Sequence, residues 1–412
     1  MLSNTHKWLR PALINLNIVA FLGCILRYKI AFSLPFLDQK HLLHSHSHFS
    51  FSGWISQALM ILMVEHLLRS GKMDSYKKHG KWLILNLVCA YGMLVTFTIQ
   101  GYGLFSITFS TLSIATAFIF GISYWLDLNK HDKKSIASKW FKAGIFFNMF
   151  SSLGAFSLSI MMATHIIHQN WYLASIYFFL HFQYNGWFFF VCMGLMTQYL
   201  VIFGVNFNAM KKVFALFAIS CIPAYFLSAL WLPIPTWVYI IVALAALAQV
   251  FGWILFVKEM YVKRVLLKDN ISKPAKILFF ISAVALSIKL LLQIGSVYPP
   301  LSNLAFSFRP IVIGYLHLVL LGVITVFLIG YIVSHKFISL NKYAFSGIFI
   351  FVVGIFLNEI ILMFQGVNAL RYESLPYSNE ALIGAAMLMF TGLFVLNVSQ
   401  FSSNKLLVEK TE

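Results

Sequence analysis

A histidine buried in an apolar helix is costly and is usually kept for function. Two histidines in this chain open one pattern, H-F-x-x-x-G-W: His48 through Trp54, and His181 through Trp187. A third, weaker copy starts at His317, with Gly322 at the offset that Gly53 and Gly186 occupy. The three step along the chain by about 135 residues, the mark of an internal repeat. Imidazoles projecting from separate helices into an apolar interior suit haem iron, which takes axial histidine ligands. A porphyrin would also account for Phe, Trp and Gly clustered around them. The same histidines could instead hydrogen-bond within a polar seam, or line a transport path.

The elements that must position them are transmembrane helices. The chain has 412 residues, 60% hydrophobic and 10% charged, where soluble domains carry about 25% charged residues. Apolar runs near the roughly 20 residues needed to cross a bilayer occur over 11–32, 43–68, 82–103, 105–127, 140–164, 171–203, 213–232, 234–257, 275–297, 305–333, 344–366 and 379–400. Twelve helices in three four-helix pseudo-repeats, about 10–130, 139–260 and 273–400, make one polytopic domain over 1–412.

The net charge of +18 does not point to nucleic acid. The loops after odd-numbered spans hold Arg27, Lys29, Lys40, Arg309 and Arg371, and Lys289 sits within a span. The other Lys and Arg lie at the two ends or in loops after even-numbered spans, as in the group Arg69, Lys72, Lys77, Lys78 and Lys81. That asymmetry places both termini in the cytoplasm of a cell inner membrane. Cys24, Cys89, Cys192 and Cys221 all fall in apolar spans without a C-x-x-C pair, so neither a disulfide framework nor a thiolate metal site is expected. The basic N-terminus before span 1 lacks a small-x-small cleavage pattern and reads as an uncleaved first helix.

In this orientation spans 2, 6 and 10 run inward, and His48, His181 and His317 lie roughly 8–18 Å below the outer surface at the helical rise. A quasi-threefold bundle brings them to comparable levels. In a regular helix His41, His44 and His48 share one face, while His46 points about 200° away from His48, toward a second pocket. His41 and His44 lie near the outer mouth, as a solvated helix entrance or a shallow copper or zinc site. The glycines at offset +5 lie about 140° from their histidines and favour close helix packing. Trp54 and Trp187 read as wedges between helices or flanks of a flat cofactor.

With twelve helices in three arcs and histidines on helices 2, 6 and 10, the chain resembles subunit I of the haem-copper oxidase superfamily, which includes oxygen and nitric oxide reductases. Locally, His46-Ser-His48-Phe-Ser-Phe-Ser-Gly53-Trp54 is similar to the family's H-x-H motif, in which each histidine serves a different haem. The resemblance implies a b-type haem held by His46, His48, His181 and His317, with His48, His181, His317 and His44 as metal ligands and copper as a further cofactor. It implies respiratory electron transfer or reduction of O2 or NO, an electron-donor protein or quinol, and small accessory membrane subunits. Here the H-x-H stands on helix 2 rather than helix 10, and span 213–232 lacks the histidine pair that holds the family's copper. The haem- and copper-containing membrane proteins of nitric oxide tolerance are a second resemblance. They also carry H-x-H on helix 2, followed by an acidic residue where this chain has Phe49. A non-catalytic haem and copper protein for the nitric oxide response, and a polytopic transporter, are the alternatives.

Two charged residues lie mid-helix, Glu359 in span 11 and Lys289 in span 9. They read as a mutual ion pair or as proton relay stations. Glu65 and His66, at the inner end of span 2, and His165 and His168, after span 5, read as interfacial.

Overall fold

The computed structural model describes residues 5–166, 168–302 and 308–408, with side chains described through Phe401. Among these residues the regular elements are all helical. This follows from the composition, because a chain in lipid must satisfy each backbone N–H and C=O internally, and a helix does so within one segment. Ten helices are long and apolar enough to cross a membrane, so this is an all-α, multi-pass membrane protein.

In chain order the α-helices are α1 (Thr5–Ala31), α2 (Gln39–Phe49), α3 (Gln57–Arg69), α4 (Ser75–Gln100), α5 (Leu104–His131), α6 (Ile136–Ala163), α7 (Gln169–His181) and α8 (Phe189–Val201). There follow α9 (Phe207–Cys221), α10 (Thr236–Val262), α11 (Arg264–Asn270), α12 (Lys273–Ser296), α13 (Arg309–His317), α14 (Val326–Ser334), α15 (Lys342–Leu370) and α16 (Ser378–Val408). The ten spanning helices match ten of the twelve expected spans. The sixth span, 171–203, is occupied by an unbroken helical run over 169–201. The seventh, 213–232, departs from expectation: α9 is 15 residues long and passes into a 3-10 turn, Pro223–Ser228. Proline lacks the N–H that would continue the ladder, and its ring clashes with the preceding turn. The first residues of the expected tenth span, 305–307, lie outside the described residues.

The chain forms two compact units, Met1–Phe120 with Leu328–Glu412, and Gly121–Phe327. In the first, α1 packs on α16 and α15 pairs with α16. That pairing is very close: a Cβ on Gly392 would lie 2.5 Å from the Phe351 backbone nitrogen, and one on Gly347 2.6 Å from the Gly392 carbonyl oxygen. In the second unit α6 packs against α7 and α8, α9 against α10, and α10 against α12. Short polar side chains start several helices: Asn206 accepts from the Asn208 backbone at 2.9 Å, and Asn341 from Ala344 at 2.8 Å.

Candidate functional site

Each of the three repeated histidines stands at the mouth of a π-helical turn. The turns span Ser50–Ser56, Phe182–Phe188 and Leu318–Thr325. His48 lies two residues before the first, and His181 and His317 immediately precede the second and third. A π turn bonds i to i+5, is rare, and is frequent at functional sites. The helix after each histidine is thus not the regular α-helix that the spacing assumes. The glycines still serve packing: a Cβ at Gly186 would lie 2.5 Å from Phe147, one at Gly322 3.2 Å from Ala285, and one at Gly53 2.9 Å from the Phe49 ring. Trp54 and Trp187 are both buried.

Widening a turn displaces carbonyls from their usual partners, and buried carbonyls must find others. Neighbouring helices supply them. Asn15 of α1 donates to the Gly53 carbonyl at 2.7 Å, and Asn86 of α4 donates to Ser52 at 3.0 Å. In the other unit the Cys221 thiol donates to the Asn185 carbonyl at 3.8 Å, and the Ser282 hydroxyl to Val323 at 2.8 Å. Apart from Cys221, noted as a thiol in an apolar span, none of these residues was singled out from the sequence. Asn15 and Asn86 carried a usable signal as amides inside apolar runs.

In the first unit the helix over Gln39–Arg69 is the most enclosed of the spanning helices. Its central stretch is 83% buried, against 22–44% for the other nine. His41, His44 and His48 share a face, as their spacing predicts, and that face meets the end of α4. The His48 ring stacks on Phe97 at 4.4 Å, and its Nε2 lies 3.4 Å from the Tyr102 hydroxyl. The His44 ring meets Tyr102 edge-on at 4.6 Å. His41 lies against Gly101, where a Cβ would come within 2.4 Å of its ring and where φ is +61°, so glycine is required twice over. A cavity of about 600 Å3, lined by Lys29, Asp38, His41 and Thr98 among others, opens at this mouth. Asp38 caps α2, accepting from Lys40 at 2.8 Å and His41 at 3.0 Å. The His41 N–H, with that of Lys40, holds the Asp38 carboxyl below the ordinary carboxylate range.

His46 turns the other way, as expected, to α1. One ring nitrogen meets the Val19 backbone, and its Cε1 lies 3.6 Å from a Cβ placed on Gly23. Its Nδ1 is buried without a hydrogen-bond partner among the described residues. An orphaned imidazole nitrogen in an apolar setting is the lone pair a metal would use.

In the second unit His181 is buried and both its ring nitrogens are engaged. Nε2 donates to the Cys221 carbonyl at 2.9 Å, which fixes the neutral Nε2–H tautomer, and Nδ1 accepts from the Asn185 amide at 3.1 Å. Pro223 makes the first bond possible. The chain tightens so that the Tyr225 N–H bonds Ile222 at 3.2 Å, and the Cys221 carbonyl is left for His181. His317 differs. Its Nδ1 donates to the Ile313 carbonyl at 3.0 Å, which directs the ring lone pair onto Nε2, an orientation common among metal-ligating histidines.

The two mid-helix charges fall in different units. Glu359 accepts from Asn358 at 3.0 Å. Lys289 is buried, beside Asn185, Cys221 and Gln249. Glu65 and His66 are buried within the protein: Glu65 accepts from the Thr5 hydroxyl and pairs with Arg69 at 2.8 Å. His165 and His168 are exposed. Among the described residues, no three His, Cys, Asp or Glu side chains converge as a metal-ion site.

The donors at His46, His48 and His317 suit haem iron, which needs one or two imidazoles rather than a cluster. His181, as held, presents no unengaged nitrogen. The void beside it, about 10 Å3, has room for one water and none for a porphyrin. No protein-family model and no curated protein matches the chain.

Proposed function

We propose that this is a membrane haem protein of the inner membrane, its termini cytoplasmic, acting in respiratory electron transfer or in reduction of O2 or NO. The observation that carries the reading is the repeated placement of a histidine at the entrance to a π turn, in three helices at near-equal chain intervals. A structural seam would need buried imidazoles, but would not need the same rare turn after each. We also carry twelve membrane crossings into this proposal, counting 169–201 and the broken α9 segment with the ten.

His46, His48 and His317 are the proposed ligands. Haem, when bound, supplies the electron-transfer and gas chemistry. The chain does the rest. Phe97 fixes the plane of the His48 ring and Tyr102 presents a hydroxyl to its Nε2. Ile313 sets the tautomer of His317. His181 acts as a positioning residue that ties the second π turn to the end of α9. The electron donor is a partner protein or quinol, and copper would require His44 with His48.

Oxidised and dithionite-reduced spectra of the detergent-purified protein, expressed with ample haem, test this. Sharp reduced α and Soret bands that weaken in His48→Ala or His317→Ala are expected, with turnover on O2 or NO separating an enzyme from a gas-binding protein. Protein free of haem under those conditions would leave a transporter.

A further inference from the structure

Lys289 is 5% exposed in the middle of α12. Among the described residues it makes no hydrogen bond or ion pair, and burying such a cation alone in an apolar bundle is among the costliest arrangements available. It borders a small void with Asn185, Cys221, Gln249 and three phenylalanines, Phe189, Phe190 and Phe217. Gln249, 4% exposed on α10, has its Oε1 buried without a partner among the described residues. The two sides of the void are thus complementary: an amine that must donate and a carbonyl oxygen that must accept. They are not bonded to each other. The void measures about 10 Å3, the space one water occupies, and a buried water needs two to four polar partners.

We propose that this void is a single-water site, in which the water accepts from Lys289 Nζ and donates to Gln249 Oε1. The water solvates the amine inside the membrane and gives the second unit a hydrated group able to hold a proton. The other titratable groups nearby are Cys221, lining the same void from α9, and His181 on α7, whose nitrogens are already engaged. Among the described residues no carboxylate lines the void. The inference does not rest on haem binding.

Thermal unfolding of the full chain in detergent, for Gln249→Glu, Lys289→Met and the double variant, tests the juxtaposition. A carboxylate at 249 should raise the melting temperature when Lys289 is present and lower it when Lys289 is methionine. The same shift in both backgrounds would show that the two side chains do not share a void, and would overturn the proposal. A high-resolution cryo-EM map of the unaltered protein gives an independent reading should a variant fail to fold. Density within hydrogen-bond distance of Lys289 Nζ and Gln249 Oε1 is expected, and an empty void would refute the water.

Discussion

Asparagine carries much of the unusual backbone in the first unit. Asn15 and Asn86 meet adjacent carbonyls of one π turn, and each is itself tied down, Asn15 by the Tyr91 hydroxyl at 2.6 Å and Asn86 by Gln57 at 2.8 Å. Asn15→Leu or Asn86→Leu should therefore cost on the order of 1–3 kcal/mol, the penalty for orphaning a buried carbonyl. Comparing thermal unfolding with that of an exposed control such as Asn208→Leu would check it. At the N-terminus of α2 the prediction concerns pH. The Asp38 carboxyl titrates lower when folded than when unfolded, so its stabilisation of α2 is present above the unfolded value. It is lost as pH falls through the folded value. The protection of the Lys40 and His41 amides, measured as exchange relative to an unstructured peptide at the same pH, should fall on that descent, and Asp38→Ala should remove the dependence.

Among the elements, the contrast lies between what hydropathy can and cannot announce. Ten spans were legible because each is a long apolar run that lipid forces into a helix. Their starts were less legible: α1 begins at Thr5, whereas its apolar run begins near residue 11. The π turns were invisible, because a π turn is a change in hydrogen-bond ladder within a continuous apolar pattern. The break after α9 did carry a signal in Pro223, which an apolar window averages away. The closeness of the α15–α16 pair was also hidden, since it depends on Gly347 and Gly392 facing each other across two consecutive helices. Gly392→Val should separate these helices, because the intruding atoms would meet backbone rather than a movable side chain. We expect a large drop in melting temperature and poor yield, against little change for Gly384→Val, where a Cβ meets nothing within 4 Å.

For the whole molecule, the histidine repeat was the most informative part of the sequence, and its meaning changed once neighbours were seen. Spacing put His41, His44 and His48 on one face and His46 on another, and both follow from helical period alone. Spacing made His181 equivalent to His48 and His317. It is distinguished from them by Cys221 and Asn185, and the Cys221 contact depends on where a neighbouring helix breaks. The central claim is that these imidazoles hold haem. A pyridine haemochrome assay, giving moles of haem per mole of purified protein, tests it most directly. The account predicts at least one b-type haem per chain, lowered in His48→Ala and in His317→Ala and retained in His181→Ala if the latter folds. No haem in the unaltered protein, or equal haem in all of these variants, would contradict it.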